Sequence, residues 1–123
     1  MTLPVRVLIA DDHRLFAEAL EAVLATEERI EVVDRAADGE EAVALARTLH
    51  PVVFALDISM PVMDGFEAAV QLELLEHPPA VLMLTGSNAP EDVERARAVG
   101  VKGYITKDAI AASLVDAILA AAR

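Results

Sequence analysis

The sequence predicts a single α/β domain, residues 1–123, built as a three-layer sandwich with a five-stranded parallel sheet and helices on both faces. Two kinds of segment alternate along the chain in the order βαβαβαβαβα, which is the pattern of right-handed β–α–β crossovers. Several strand segments are nearly continuous apolar runs, as expected where both faces of a strand are covered. Hydrophobic residues make up 55% of the chain and aromatic residues only 3%, so the expected core is aliphatic.

The predicted strands are short, β-branched and apolar. The first is followed by two aspartates and the third by one. They span residues 5–10, 30–33, 52–56, 80–84 and 102–106.

The predicted helices are indicated by apolar side chains at intervals of three and four residues. Such stripes serve either the core or a partner surface. Their members, helix by helix, are Leu15, Phe16, Ala19, Leu20, Val23 and Leu24; Ala42, Val43, Ala46 and Leu49; Phe66, Val70 and Leu74; Val93, Ala96 and Val99; and Ile110, Leu114, Ile118 and Leu119.

Local signals mark several helix ends. Two pairs are spaced as capping boxes, one proline suits a first helical turn, one aspartate can cap the fifth helix, and one glycine suits the end of the fourth. In that order they are Asp38 with Glu41, Asp64 with Glu67, Pro90, Asp108 and Gly100.

Composition excludes several classes of protein. No cysteine is present, which rules out disulfides and thiolate metal sites and fits a reducing compartment. The net charge of −11 would repel nucleic-acid phosphates, so we expect no nucleic-acid binding by this domain. No signal peptide is recognisable, and the longest nearly apolar stretch, residues 109–122, is interrupted by Ser113 and Asp116. We therefore expect a soluble protein without a membrane contact.

Chemically active side chains follow four of the five predicted strands. Because ligands of open parallel sheets sit beyond the carboxyl ends of the strands, these side chains are expected to converge. Clustered carboxylates attract a hard cation such as Mg²⁺, and a carboxylate can attack phosphorus to form an aspartyl phosphate. A lysine and a threonine can then neutralise and hydrogen-bond the transferred group. The set is Asp11 and Asp12, Asp57, Thr85 and Lys107.

Four stretches resemble the motifs of the response regulator receiver domain, in the CheY-like superfamily, and the match covers essentially the whole chain. They are VRVLIADDH at 5–13, LDISMPVMDG at 56–65, LT at 84–85 and GYITKD at 103–108. Asp-Asp-His after the first strand and Lys-Asp-Ala after the fifth resemble the NarL/LuxR-type subfamily. The resemblance implies a flavodoxin-like (βα)5 fold with strand order 2-1-3-4-5.

The resemblance also implies roles at the matching positions. Asp57 would accept the phosphoryl group and bind Mg²⁺. Asp12 would bind the metal directly, Asp11 through water, and the backbone carbonyl of Ser59 would add a ligand. Lys107 would bridge Asp57 and the phosphoryl group.

Two further residues would act as the switch. Thr85 would move toward the phosphoryl oxygens, as a catalytic and a switch residue, and Tyr104 would follow it inward. Plain packing remains an alternative for Tyr104. The side chains of Ser59, Ser87 and His13 are interpreted as ordinary loop residues, and the three histidines lack the spacing of a metal site.

The family's partners are carried over as expectations. They are a sensor histidine kinase as phosphoryl donor and a homodimer or output-domain partner. The docking face would be formed by the fourth helix, fifth strand and fifth helix, or by the first and fifth helices. The domain is expected to be cytoplasmic, to regulate transcription through a partner domain, and to lack turnover on an external substrate. No output domain is expected within residues 1–123.

Two alternatives remain. A degenerate receiver would bind a partner without phosphorylation, although the acidic residues, Thr85 and Lys107 are all present. An aspartyl-phosphate phosphatase needs a second acid two residues after the nucleophile, where this chain has Ser59. Two departures from the family are Asp108 after Lys107, which leaves open a cis peptide bond there, and Val62 where the subfamily often has glycine.

Overall fold

The computed structural model describes residues 3–86 and 90–123 and contains one parallel sheet of order β2-β1-β3-β4-β5. The strands are β1 Val5–Ala10, β2 Ile30–Ala36, β3 Val53–Asp57, β4 Ala80–Thr85 and β5 Gly103–Thr106. The helices are α1 Arg14–Ala25, α2 Gly39–Leu49, α3 Gly65–Glu73, α4 Pro90–Ala98 and α5 Ile110–Ala121. Fold class, element order and strand order are all as predicted.

The two faces of the sheet carry separate cores because successive side chains of a strand point to opposite faces. Odd-numbered residues of β1 and β3, such as Ile9 and Ala55, pack with α1 and α5. Even-numbered residues of the same strands, such as Leu8 and Phe54, pack with α2, α3 and α4. The same alternation determines to which face of the sheet each residue at the carboxyl end of a strand points.

Most of the predicted helix ends are confirmed. Asp38 accepts a hydrogen bond from the Glu41 amide at 2.8 Å, and Asp64 accepts one from the Glu67 amide at 2.9 Å. Pro90 begins α4, and Gly100 follows it with φ +85.

The prediction that Asp108 caps the fifth helix is wrong. The cap position is Ala109, in a helical conformation with no side-chain hydrogen bond, because the chain enters α5 through a tight turn in which the Ala109 amide donates to Thr106 O. The peptide bond between Lys107 and Asp108 is trans, since the described residues include no cis peptide.

Some members of the predicted stripes lie outside the core. In α3 the buried face includes Phe66, Ala69 and Leu72, whereas the predicted members Val70 and Leu74 are 43% and 74% exposed. A strict four-residue spacing advances about 40° per step around a helix, so the series that starts at Phe66 leaves the core face at its second member, Val70.

In α1 the buried residues are Ala17, Leu20 and Leu24, so Leu15, which is 72% exposed, lies on the opposite side of the helix. The predicted members Ala19 and Val23 are exposed as well.

Helix α5 buries Ile110, Leu114 and Ile118, as the stripe predicted. Outside this stripe, α5 exposes Ala111 and Ala112, but also Asp116. Among the described residues, no helix combines the length and the apolar character that crossing a membrane would require.

Candidate functional site

The carboxyl edge of the sheet gathers the predicted site residues from four segments. Asp11 follows β1, Asp57 ends β3, Thr85 ends β4 and Lys107 follows β5. Asp11, Asp57 and Thr85 are 3–4% exposed, and within the described ranges they are the buried polar or charged residues of the whole fold. Polar and charged groups are rarely buried, because their burial costs free energy unless they are paired. Their concentration at this edge makes it the candidate functional site.

Three carboxylates come together at this edge. Asp11, Asp12 and Asp57 each offer an oxygen, and these oxygens lie within 4.8 Å of one another. Asp12 is exposed, whereas the other two are buried. Oxygen donors at this separation match the preference of a small divalent cation such as Mg²⁺.

Lys107 supplies the positive charge of the cluster. Its Nζ lies 3.1 Å from Asp11 Oδ2 and 3.3 Å from Asp57 Oδ1. Burial lowers the pKa of Lys107, but its hydrogen bond to Asp11 and the charge of Asp57 outweigh burial, so the pKa is raised above its usual value. The ammonium therefore stays charged between the two carboxylates.

The surroundings of Asp57 favour the neutral form of its carboxyl group. Burial, followed by the negative charge of Asp11, raises its pKa from 3.8 to about 6, and the opposing effect of Lys107 is smaller. One lysine facing three carboxylates leaves the cluster short of positive charge. This deficit is what a divalent cation would correct.

Asp11 is held by the local backbone as well as by Lys107. Its Oδ1 accepts a hydrogen bond from the His13 amide at 2.8 Å, and its own amide donates to Ala36 O of β2 at 3.0 Å. Both carboxylate oxygens of Asp11 are therefore engaged. Asp12, by contrast, is exposed to solvent and offers an oxygen to the cluster.

Thr85 and Tyr104 lie on the face of the sheet opposite to Asp57 and Lys107. Met83 pairs with Tyr104 across β4 and β5, so Thr85, two residues further on, shares the face of Tyr104. Tyr104 is half-buried and packs against the core beneath α2, α3 and α4. A surface groove of about 190 Å³ between α4 and β5, lined by Val93, Ala96 and Tyr104 among others, lies beside it.

The β3–α3 loop is closed by two backbone contacts that only glycine permits. The Gly65 amide donates to Ile58 O at 2.7 Å, and the Gly39 amide donates to Met63 O at 3.1 Å. A Cβ on Gly65 would stand 2.2 Å from Asp57 O, and a Cβ on Gly39 would stand 2.2 Å from Met63 O. Ser59, whose carbonyl was predicted as a metal ligand, lies in this loop with its side chain exposed.

Val62, in the same loop, has φ +68, which is strained for a β-branched residue, and its side chain is 76% exposed. The strain costs about 1–2 kcal/mol, whereas the entropic cost of glycine is about 0.5–1 kcal/mol. We expect Val62→Gly to raise the free energy of unfolding by about 1 kcal/mol, measured by urea denaturation. Val52→Gly is the control, since exposed Val52 has no positive φ, and it should destabilise the protein. A loss of stability in Val62→Gly would contradict the assignment of strain.

Sequence reasoning missed three contributors to this edge. Phe16 was assigned to an apolar stripe, but its ring centroid lies 4.4 Å from Lys107 Nζ. Its place in the first turn after the two aspartates was the available signal. Gly39 and Gly65 were missed because close backbone approach is visible only in three dimensions. Ser87 lies outside the described residues.

The model of the response regulator receiver domain family matches residues 7–119. Response regulator protein VraR of Staphylococcus aureus is 38% identical over 114 residues, which cover 93% of this chain and 54% of VraR. The chain thus spans about half the length of the curated relatives it matches.

Solved structures agree in fold over nearly the whole chain. The signal receiver domain of the response regulator NarL from Mycobacterium tuberculosis is 35% identical with a TM-score of 0.94, and 98% of each chain is covered. A chain of the CheX–CheY–BeF3–Mg²⁺ complex from Borrelia burgdorferi is 28% identical with a TM-score of 0.88, covering 96% of this chain and 89% of that one. With the family model spanning most of its length, the chain belongs to the response regulator receiver domain family, as a receiver of the NarL/LuxR type.

Proposed function

We propose that this domain is a phosphorylation-dependent signalling switch that accepts a phosphoryl group on Asp57 from the phosphohistidine of a sensor histidine kinase, with Mg²⁺ as cofactor. The observation that carries the proposal is the position of Asp57, buried at the carboxyl end of β3 with a carboxylate cluster on one side and the Lys107 ammonium 3.3 Å away. Membership of the receiver family supports phosphorylation-dependent signalling in general.

The residues present fit a magnesium ion. Asp12 and Asp57 would bind the metal directly, Asp11 would act through water, and the backbone carbonyl of Ser59 would add an oxygen. Support comes from the oxygens of the three carboxylates, which lie within 4.8 Å of one another, and from their uncompensated charge. The related Borrelia burgdorferi complex contains Mg²⁺ and BeF3. When bound, the ion supplies positive charge that offsets the charge of the phosphoryl group.

The chemical step is a substitution at phosphorus. An Asp57 carboxylate oxygen attacks, an O–P bond forms, and the P–N bond to the donor imidazole breaks. The electron pair leaves with the imidazole nitrogen, which then takes a proton from water. Lys107 donates N–H groups toward the transferred oxygens, and the Thr85 hydroxyl donates a further hydrogen bond.

The switch would use the face of the sheet opposite to Lys107. Thr85 and Tyr104 share that face, so a shift of Thr85 toward the phosphoryl group changes the packing space of Tyr104. Helix α4 borders this space and buries a single residue, Ala96. A helix with so small a buried area is the element whose population can change at low cost.

We further propose that the domain is cytoplasmic, does not turn over an external substrate, and acts on transcription through a dimer or an output domain. Docking would use α4, β5 and α5, or α1 and α5. Support comes from VraR and NarL-type relatives and from the exposed alanines Ala111 and Ala112 of α5. Ser59 in place of a general acid argues against phosphatase turnover.

Incubation with acetyl phosphate and Mg²⁺, followed by intact-mass spectrometry, tests the assignment of Asp57. The wild-type protein should gain the mass of one phosphoryl group, Asp57→Asn should gain none, and removal of Mg²⁺ with EDTA should abolish the gain. Asp108→Asn is the matched control, because this exposed carboxylate lies beside Lys107 without a capping bond. An unmodified wild-type protein that still binds Mg²⁺ would favour the degenerate receiver.

A further inference from the structure

The Lys107 ammonium has three close neighbours. Asp11 Oδ2 lies at 3.1 Å, Asp57 Oδ1 at 3.3 Å, and the centroid of the Phe16 ring at 4.4 Å. The lysine side chain is 25% exposed, so these neighbours do not enclose it completely.

Phe16 is tied to the same segment as the acidic residues. It lies in the first turn of α1, a few residues after Asp11, and packs against the core between the sheet, α1 and α5. Lys107, by contrast, follows β5 at the far side of the sheet. The contact between Phe16 and Lys107 therefore joins the β1–α1 segment to the segment that follows β5.

The physics of this contact differs from simple apolar packing. A cation within about 6 Å of an aromatic centroid is attracted by the negative face of the ring. The ring also excludes water from one side of an ammonium whose stem has four flexible carbons. Both effects restrict Nζ to the position from which it reaches Asp11 and Asp57 together. An aliphatic side chain of similar size would fill the space without the attraction.

We propose that Phe16 is a positioning residue for phosphorylation: its ring holds the Lys107 ammonium beside Asp57. This inference rests on the proposed function of Asp57 and names a residue through which Lys107 acts. In this role Phe16 acts on the Lys107 ammonium, and contact with the phosphoryl group or the metal ligands is not required. Removal of the ring should therefore change the position of the Lys107 ammonium without changing the affinity for Mg²⁺.

The first test is spectroscopic and needs no phosphorylation. In the metal-free protein, the ring current of Phe16 should shift the Lys107 Hε resonances upfield relative to those of exposed Lys102. Phe16→Leu should return the Lys107 resonances to ordinary values, and Phe16→Tyr should keep them shifted. Unshifted Lys107 resonances in the wild-type protein would overturn the proposal.

The second test is kinetic and uses a double-mutant cycle. With acetyl phosphate and Mg²⁺, Phe16→Leu should slow phosphorylation about 3–10-fold, while the Mg²⁺ dissociation constant stays unchanged. Phe16→Tyr should restore the rate. In a Lys107→Ala background, Phe16→Leu should have no further effect.

The outcomes separate the two proposals. An equal loss of rate in both backgrounds, with a change in Mg²⁺ affinity, would mean that Phe16 acts only through the packing of α1, and the inference would fail while the function of Asp57 stands. A wild-type protein that is never phosphorylated would refute the proposed function. In that case the proton shifts of Lys107 would still report whether the ring holds the ammonium.

Discussion

Gly65→Ala is expected to destabilise the fold by about 3 kcal/mol or more, because the new methyl group has no space to occupy. Its Cβ would stand 2.2 Å from Asp57 O and 2.8 Å from Ile58 Cα, both of them backbone atoms. Relief requires α3 to move away from the end of β3. That movement would also displace the Asp57 carboxylate, so phosphorylation by acetyl phosphate should slow together with the loss of stability.

Chemical denaturation of Gly65→Ala beside Gly86→Ala provides the measurement and its control. A Cβ on Gly86 meets no atom within 4 Å, and this glycine is exposed, so its alanine variant should keep wild-type stability. Equal stabilities of the two variants would show that the close approach at Gly65 is not a real constraint.

Asp57→Asn is expected to stabilise the metal-free protein above pH 7 and to do so much less near pH 4. Burial raises the pKa of Asp57 to about 6 in the folded protein, so the fold favours the neutral carboxyl. A raised folded pKa contributes stability that is present below the unfolded value of 3.8 and lost as pH rises through about 6. The charged carboxylate then lowers the free energy of unfolding by up to about 3 kcal/mol. The neutral amide of asparagine avoids this loss.

The measurement is the difference in unfolding free energy between wild type and Asp57→Asn from pH 4 to pH 8 in EDTA. The difference should grow with pH and level off above about pH 7. Saturating Mg²⁺ should reduce it, because the ion binds the folded wild type and stabilises it by mass action. A difference that is constant with pH would contradict the raised pKa.

The sequence predicted the sheet and the edge that carries the chemistry with little ambiguity. A short apolar run such as 80–84 is typical of a parallel strand that is covered on both faces. The polar residue that follows each run then lies at the carboxyl edge of the sheet. Helix faces were less certain. The same spacing that identifies a helix allows Leu15 or Ala17 to face inward, and only packing against the sheet selects Ala17.

Local sequence also determined the caps of α2 and α3, because Asp38 and Asp64 bond to amides three residues away. Asp108 looked equally able to cap α5, yet the turn that brings Lys107 to the site leaves Ala109 in the cap position. Distant constraints there overrode a local preference.

By itself, the sequence determined the order of the elements and the identity of the groups at the carboxyl edge, Asp11, Asp12, Asp57, Thr85 and Lys107. These follow from periodicity and from residues next to each other in the chain. Only the tertiary structure decided which atoms meet: the Phe16 ring on Lys107, the Gly65 backbone against Asp57, and the division of the site between the two faces of the sheet. The reason is that such contacts join residues far apart in the chain, whose separation is set by the packing of the whole domain.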